Sequence, residues 1–509
     1  MPYLIGVDIG TSGTKTILID EAGKVLARAM REYPLYTPRP QWSEQEPGDW
    51  WEATCATIRS VLQSSGVART EIKGIGLSGQ MHGSVFLDEN GEVLRRALLW
   101  NDQRTQAECD WITQTVGRER IVDLISNPVL TGFTAGKIVW LRNHEPEIYA
   151  RVRKVLLPKD YIRFKLTGEY ATEVSDASGT ALFNVRKRVW ADEMLGAIDI
   201  PRKWMPPSFE SQEVSGRISD SAAAVTGLAP GTPVVGGGGD QAAGAVGNGI
   251  VETGIVSSTV GTSGVVFAFS DEPVVDPALR LHTFCHAVPG KWHLMGVMLS
   301  AGGSLQWYRD TFCQAEKALA EATGRDPYEL ICAEAEAAPA GSEGLIFLPY
   351  LTGERTPYPD PNARGTLFGL TRRTDRASVA RSVLEGVAYG LRDSFLIMES
   401  MGLPIRQVRA SGGGARSPLW RQIQADVTGY THVTINVDEG PALGVALLAG
   451  VGTGVYASVE EACRATISVH SATEVDATRH EVYRQYHEVY QSLYAHLKED
   501  FAAVSRIAH

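Results

Sequence analysis

The stretch "YLIGVDIGTSGTKTILID" (residues 3–20) predicts a β-hairpin, because apolar residues alternate on both sides of a turn rich in Gly, Thr and Ser. A second stretch, "TVGTSGVVFAFS" (residues 259–270), carries the same GTSG turn between two further apolar strands. We interpret this repeat as an internal duplication with one copy near the start of each half. Two similar domains, residues 1–247 and 248–509, would then meet around residues 248–254 and enclose a cleft suited to a ligand.

The segments between and after the two hairpins alternate between strand and helix patterns, which predicts an α/β fold. Residues 47–66 have apolar residues at helical spacing and end at a glycine. Residues 232–249, "TPVVGGGGDQAAGAVGNG", predict a strand, a glycine turn and a helix. The last segment carries five large apolar or aromatic residues at helical spacing, which favours a helix packed on the core over a partner-binding helix: Tyr483, Tyr486, Tyr490, Leu493 and Leu497.

Bulk composition argues against several classes of function. The 509-residue chain has a net charge of −11, whereas nucleic-acid and membrane-surface binding both favour a basic face. The six cysteines include no CxxC pair, so neither a zinc site nor a disulfide framework is indicated. No basic and apolar leader opens the sequence, and no apolar run approaches the ~20 residues that span a bilayer. We therefore expect a cytoplasmic protein with neither nucleic-acid nor membrane partners.

The two GTSG turns are candidate phosphate sites, because backbone N–H groups and hydroxyls gather in such turns. Either turn alone fits an ordinary hairpin without a ligand, but the pair could grip a polyphosphate from both sides of a cleft. A P-loop is excluded because Thr14 separates Gly13 from Lys15. The candidate ATP contacts are Gly10, Thr11, Ser12, Gly13, Gly261, Thr262 and Ser263.

Asp8 ends an otherwise apolar strand, where a carboxylate is costly to bury unless it has a partner. Beside a phosphate nest, that partner could be Mg²⁺ carried by the phosphates and reached through water. The alternative is an aspartate that merely caps the turn.

Two further glycine clusters call for an explanation. "GGGGDQAAGAVG" (residues 236–247) places four glycines before Asp240, which suggests that something approaches the backbone closely there. Its partial match to a dinucleotide-binding GxGxxA pattern is weak, because the next acid, Glu252, comes too early. "ASGGGARSPLW" (residues 410–420) would let a flat group such as adenine and its ribose lie on the backbone, or would simply form a close strand-to-helix turn.

Taken together, these blocks resemble the FGGY carbohydrate kinases over nearly the whole chain. The resemblance rests on several motifs in the same order, including "GVDIGTSGTK", "SGQMHGSVFLD", "LLWNDQR", "GFTAGKIVWLRNH", "LLPKDYIRFKLTGE", "GGGGDQAAGAVG", "VGTSGVVF", "HTFCHA", "FLPYLTGERTP" and "SGGGARSPLWRQIQAD". It implies two duplicated actin-like (ribonuclease H-like) ATPase domains with an interdomain cleft, in agreement with the duplication.

The resemblance also implies roles for individual residues. Asp240 would be the catalytic base, and Asp8 would help to place Mg²⁺ and phosphate. Met81 and His82 of "GQMHG" would contact the sugar, although a lone histidine is more often structural. Gln241 stands where family members that act on D-xylulose usually have Asn, and its effect on the sugar is an open question. The remaining ATP contacts would be Gly302, Gln306, Gly413, Gly414 and, less directly, Ser417.

The reaction implied by the resemblance is transfer of the γ-phosphoryl group of ATP to the C5 hydroxyl of D-xylulose, giving D-xylulose 5-phosphate and ADP. Asp240, with the ordinary aspartate pKa near 3.9, would orient the hydroxyl and accept its proton late. The alternatives are a kinase of another ketose or polyol and, more distantly, a non-enzymatic actin-like ATP-binding protein. An NAD oxidoreductase would be a third class. The sequence leaves a homodimer open.

Overall fold

A computed structural model describes residues 2–508 of the chain. The strands of the N-terminal half are β1 (Tyr3–Ile9), β2 (Gly13–Asp20), β3 (Val25–Glu32), β4 (Glu44–Gln45), β5 (Ile72–Gly79), β6 (Val85–Leu87), β7 (Ala97–Leu98), β8 (Lys154–Leu156), β9 (Thr172–Glu173), β10 (Phe183–Asn184), β11 (Val189–Trp190), β12 (Ser208–Phe209), β13 (Val214–Arg217), β14 (Pro233–Val235) and β15 (Gly238–Gly239). Its helices are α1 (Pro47–Ser65), α2 (Gln106–Val116), α3 (Arg118–Ile125), α4 (Thr134–His144), α5 (Pro146–Arg151), α6 (Pro158–Thr167), α7 (Val174–Ala177), α8 (Asp192–Ala197), α9 (Asp220–Thr226) and α10 (Asp240–Gly247).

The C-terminal half continues with β16 (Gly254–Val260), β17 (Gly264–Ser270), β18 (His282–Cys285), β19 (Trp292–Met298), β20 (Ile346–Leu348), β21 (Thr366–Phe368), β22 (Ile405–Ser411), β23 (His432–Ile435) and β24 (Val469–Thr473). Its helices are α11 (Gly302–Phe312), α12 (Gln314–Thr323), α13 (Pro327–Glu336), α14 (Arg376–Ser400), α15 (Pro418–Thr428), α16 (Pro441–Gly452), α17 (Val459–Thr466) and α18 (Ala477–Ala508).

Each half is built on a seven-stranded mixed sheet with the same internal order. In the first sheet, β1 pairs antiparallel with β2 and parallel with β5, and β5 pairs parallel with β14. In the second, β16 pairs antiparallel with β17 and parallel with β22, and β22 pairs parallel with β23. The β1–β2 and β16–β17 turns are the two GTSG sequences, so the predicted duplication and α/β class are confirmed.

Two helices join the halves. Helix α16 of the C-terminal half lies against the N-terminal sheet, where a Cβ on Gly6 would come within 1.8 Å of the Ala442 carbonyl oxygen. Helix α16 also crosses α10, and a Cβ on Gly444 would come within 1.8 Å of the Ala243 carbonyl oxygen. One apolar cluster contains residues of both sheets and of both helices, Phe267 of β17 among them. Glycine therefore permits a close helix crossing between the halves.

Two predicted helices are confirmed. Helix α1 ends at Gly66, whose φ of 68° is the left-handed conformation that glycine adopts readily. Helix α18 packs on the C-terminal core through Tyr483 and Tyr490, which are fully buried. The six cysteines are free and buried. Among residues 2–508, no helix combines the length and apolar character that crossing a bilayer requires.

Candidate active site

Two aspartates flank the carboxyl end of strand β5 in the N-terminal sheet. Asp8 of β1 lies opposite Ser78 of β5, and Gly239 of β15 lies opposite Gly79 on the other side of the same strand. Asp240 follows Gly239 and begins α10. Since neighbouring strands are ~4.8 Å apart, the backbones that carry the two acids stand about 10 Å apart. The sequence-predicted catalytic pair is thus brought together.

The Asp8 carboxylate has an oxygen without a hydrogen-bond donor from the described residues. One of its oxygens, Oδ1, is buried without a hydrogen bond from residues 2–508. Burial raises the pKa of Asp8 to about 6, an effect partly offset by the Ser78 hydroxyl and by Lys15. Carboxylate oxygens suit Mg²⁺, which usually keeps several waters and takes further ligands from substrate phosphates. The described residues form no group of three or more metal-ligating side chains, so most ligands of a Mg²⁺ ion at Asp8 would have to come from water and phosphate.

Asp240 has the electrostatics of a general base. Burial raises its pKa to about 7, the negative charge of Asp8 adds to the rise, and the Gln241 backbone and side-chain amides oppose it. A base whose pKa lies near neutrality is matched to proton transfer at working pH. The ordinary aspartate value assumed from the sequence is therefore too low, because the sequence did not reveal the burial.

Protein contacts explain the glycine run before Asp240. Gly237 has a φ of 71°, and a Cβ there would come within 1.9 Å of the Leu77 carbonyl oxygen. A Cβ on Gly239 would come within 2.9 Å of the Met81 side chain. A Cβ on Gly236 would come within 2.5 Å of the Glu210 carbonyl oxygen, so the close approach inferred from the sequence is real but is made by the protein itself. The Met81 contact places this predicted sugar residue beside Asp240.

His82 faces the same region in a fixed protonation state. Its Nδ1 lies 2.6 Å from the Gly179 carbonyl oxygen, and its ring stacks on Phe133 at 4.7 Å between centroids. Burial lowers the pKa of His82 to about 3, so the ring is neutral at physiological pH. Because Nδ1 must donate to the carbonyl oxygen, Nε2 is left as an acceptor for a hydroxyl group. The Lys137 ammonium and the Thr134 hydroxyl both donate to the His82 carbonyl oxygen and fix this segment.

A buried ionic cluster holds the backbone just before Asp240. Glu173 Oε1 accepts hydrogen bonds from the Gly239 N–H at 3.2 Å, the Asp176 N–H at 2.8 Å and the Ser175 hydroxyl at 2.9 Å. Lys159 Nζ contacts Asp176 at 3.1 Å and Glu173 at 3.5 Å, and all three charged side chains are buried. A fully buried network of this kind fixes position, since each member depends on the others.

Both GTSG turns present free backbone donors. In each turn the first glycine N–H bonds back across the turn, Gly10 to Gly13 and Gly261 to Ser263, at 3.0 Å. The N–H groups of the two residues that follow have no acceptor among residues 2–508. The Thr11 hydroxyl is already engaged by Gln80 and Trp100, so its backbone N–H is the group available to an anion. This geometry suits phosphate oxygens.

The predicted nucleotide segments converge on the second turn. Gly302 N–H donates to the Gly261 carbonyl oxygen at 2.7 Å, and a Cβ on Gly414 would come within 2.5 Å of Val260. Gly413 and Gln306 are exposed beside them, and Ser417 caps α15 by accepting from the Trp420 N–H. The assignment of Gly302, Gln306, Gly413, Gly414 and Ser417 to ATP stays a prediction.

Sequence reasoning missed several residues that shape the site, among them Phe133, Lys137, Gly179, Glu173 and Trp100. Trp100, Phe133 and Lys137 lie in the "LLWNDQR" and "GFTAGKIVWLRNH" motifs, which were recognised as blocks without being assigned roles. Nothing local marks Glu173, which reaches Gly239 from 66 residues away.

Two family models match most of the chain. The FGGY N-terminal domain model of carbohydrate kinases matches residues 3–247, and the FGGY C-terminal domain model matches residues 256–453. The xylulose kinase of Escherichia coli strain K12 is 41% identical over 494 residues, which cover 97% of this chain and 99% of that protein.

One further relative is named for a different substrate, and one solved structure is again named xylulose kinase. The gluconokinase of Bacillus subtilis strain 168 is 31% identical over 505 residues, covering 99% of this chain and 98% of that protein. The crystal structure of xylulose kinase from Rhodospirillum rubrum superposes with a TM-score of 0.90 at 30% identity, covering 98% of this chain and all of that one. With both family models matched in order and relatives aligned end to end, the chain belongs to the FGGY family of carbohydrate kinases.

Proposed function

We propose that the protein transfers the γ-phosphoryl group of ATP to the C5 hydroxyl of D-xylulose, giving D-xylulose 5-phosphate and ADP. The observation that carries the proposal is Asp240, a carboxylate with a pKa raised to about 7 that begins a helix beside Met81 and His82. The substrate is supported by the E. coli relative, whose name is xylulose kinase. The domains 1–247 and 248–509 would bring sugar and nucleotide sites together across the cleft.

In the proposed reaction, Asp240 accepts a hydrogen bond from the C5 hydroxyl and so aims its oxygen at the γ-phosphorus. As the bond from this oxygen to phosphorus forms, the bond from phosphorus to the β,γ-bridging oxygen breaks, and its electron pair stays on ADP. The proton passes to Asp240. Because the transition state is loose, positioning and charge neutralisation contribute most of the acceleration, and general-base help is typically worth 10²–10⁴-fold.

The other predicted residues have defined tasks in this scheme. His82 Nε2 accepts from a sugar hydroxyl, and Gln241, whose amide groups hydrogen-bond the Asp240 carboxyl, contacts the sugar beside it. The free N–H groups of the two turns, at residues 11–12 and 262–263, bind phosphate oxygens. Mg²⁺ would be held near Asp8 through water and would supply charge neutralisation for the phosphates.

An ADP-release assay tests the proposal. D-Xylulose, D-ribulose, xylitol, glycerol and D-gluconate are each supplied with ATP and Mg²⁺, and we expect the highest kcat/KM for D-xylulose. A higher value for another compound would assign the chain to that ketose or polyol. Sugar-independent ATP binding without ADP release would instead support the non-enzymatic alternative. The cytoplasmic location and the homodimer remain predictions from the sequence.

A further inference from the structure

The loop of residues 352–356 is fixed against the segment that leads to the nucleotide site. Thr356 and Val297 of β19 exchange two hydrogen bonds, from the Thr356 N–H to the Val297 carbonyl oxygen at 3.0 Å and from the Val297 N–H to the Thr356 hydroxyl at 3.1 Å. The hydroxyls of Thr352 and Ser300 lie 3.0 Å apart. The backbone N–H groups of residues 301–303 donate hydrogen bonds to the second GTSG turn. The segment of residues 297–303 therefore contacts both this loop and that turn.

The same loop also touches the wall of the sugar site. The Thr356 hydroxyl donates to the Arg280 carbonyl oxygen at 2.9 Å, two residues before His282. The ring of His282 lies 5.7 Å from that of Phe133, and Phe133 stacks on His82. Arg355, which precedes Thr356, is therefore placed where the C-terminal half faces the sugar contact of the N-terminal half.

The guanidinium of Arg355 is half-buried, and no anionic side chain of the described residues pairs with its positive charge. Within residues 2–508 it makes neither an ion pair nor a side-chain hydrogen bond. The neighbouring Glu354 carboxyl accepts from the Leu299 and Arg355 N–H groups, and burial raises the pKa of Glu354 to about 8, so it is mainly uncharged at neutral pH. The positive charge of Arg355 reaches the rings of His82 and His282 and lowers the pKa of each.

The cations nearest the two acids already have anionic partners. Lys15, opposite Asp8, forms an ion pair with Glu439, and Lys159 is surrounded by three carboxylates. A guanidinium held out of water without a counter-ion is unfavourable unless an anion arrives to pair with it. In the proposed reaction the anion near Arg355 is the phosphoryl group, because it must pass between the second GTSG turn and the sugar hydroxyl.

We propose that Arg355 is a catalytic residue that binds the γ-phosphoryl group of ATP during transfer. The proposal rests on the proposed function and adds a cation of the protein itself near the two carboxylates, which repel the phosphoryl oxygens. Bond making to the C5 oxygen, bond breaking to ADP and proton transfer to Asp240 proceed as above, with two guanidinium N–H groups donating to phosphoryl oxygens throughout. The planar fork of arginine matches this bidentate geometry.

Binding and turnover of Arg355→Ala and Arg355→Lys test the proposal, with the exposed Arg372→Ala as a control of equal charge change. We expect kcat of Arg355→Ala to fall about 10²–10³-fold, as when one preorganised donor to a transition state is removed. The Kd of ADP should stay within about threefold of wild type, whereas that of ATP should rise at least fivefold, because ADP lacks the contacted group. Arg372→Ala should match wild type in kcat, in the Kd of ADP and in the Kd of ATP.

Arg355→Lys keeps the charge and loses the fork, so we expect a kcat between those of wild type and Arg355→Ala, and added guanidinium should restore part of the turnover of Arg355→Ala. Equal losses of ADP and ATP affinity in Arg355→Ala, or a kcat of Arg355→Ala within fivefold of wild type, would overturn the proposal. So would a wild-type preference for D-gluconate that Arg355→Ala loses, because the guanidinium would then serve a substrate carboxylate. The ATP-against-ADP comparison needs no sugar, so its result stands even if D-xylulose is not the substrate.

Discussion

Replacing the candidate base with its neutral isostere, Asp240→Asn, should remove activity and at the same time stabilise the protein. The folded state holds this carboxyl at a pKa of about 7 against an ordinary value of 3.8, so ionising it works against folding. At about 1.4 kcal/mol per unit of pKa, the full penalty is about 4 kcal/mol. Asp240 keeps partial contact with the cleft, and solvent reduces that figure, so we expect a gain of about 1–3 kcal/mol at pH 8.

The stability gained by Asp240→Asn should increase with pH. Because the folded-state pKa is raised, the penalty is absent below the ordinary pKa of 3.8, grows as the pH rises, and is complete above about 7. The gain from Asp240→Asn should therefore fall to under half its pH 8 value at pH 5. Asn cannot accept a proton, so turnover should drop by about 10²–10⁴-fold.

Urea unfolding of the ligand-free protein, followed by tryptophan fluorescence and by circular dichroism, measures the effect; coincident transitions would justify a single free energy. The exposed Asp123→Asn makes the same change of charge on the surface, serves as the control, and should be about as stable as wild type at pH 8. If Asp240→Asn were no more stable than wild type at pH 8, or equally stabilised at both pH values, the carboxylate would not be desolvated as argued. Substantial remaining turnover would separately remove Asp240 as the base.

Further predictions concern the rest of the site. His82→Ala should raise the KM for the ketose about tenfold and the KM for ATP by less than threefold, and equal effects in steady-state kinetics would remove His82 from the sugar site. Glu173→Gln turns an amide donor toward N–H and hydroxyl donors, so kcat should fall about tenfold and urea unfolding should show a loss of about 2 kcal/mol, with little change in the KM for ATP. For the wild type, log(kcat/KM) for the sugar should rise with pH and level off above about 7, and a midpoint near 4 would contradict the raised pKa of Asp240. Gly444→Ala would force a Cβ against the Ala243 carbonyl oxygen, and urea unfolding should show a loss of about 3 kcal/mol or more.

The sequence predicted the features that depend on local pattern. Alternation and turn composition were sufficient for the β1–β2 and β16–β17 hairpins, and the repeated turn indicated the duplication. The position of Asp8 at a strand end and of Asp240 at a helix start could also be seen, because both follow from neighbouring residues.

Features that depend on distant contacts could not be predicted in this way. The glycine run before Asp240 indicated a close approach correctly, but only the fold shows which groups cause it, Leu77 and Met81 among them. Glu173 reaches Gly239 from another element and has no local signature, whereas Arg355 lies in the recognised "FLPYLTGERTP" motif, which did not indicate a role for it. The raised pKa of Asp240 depends on burial and on the charge of Asp8, which lies 232 positions earlier in the chain. Composition and local spacing therefore could not predict this pKa.

The placement of α16 on the N-terminal sheet bears on how the chain folds as it is synthesised. Residues 1–247 leave the ribosome about 200 residues before α16 (Pro441–Gly452) does, which at 5–20 residues per second is a delay of about 10–40 s. During that interval the apolar face around Gly6 lacks the helix that covers it in the finished protein. The first half of the chain therefore completes its core only when the second half has almost been made, and the nascent protein is exposed to aggregation for most of that time.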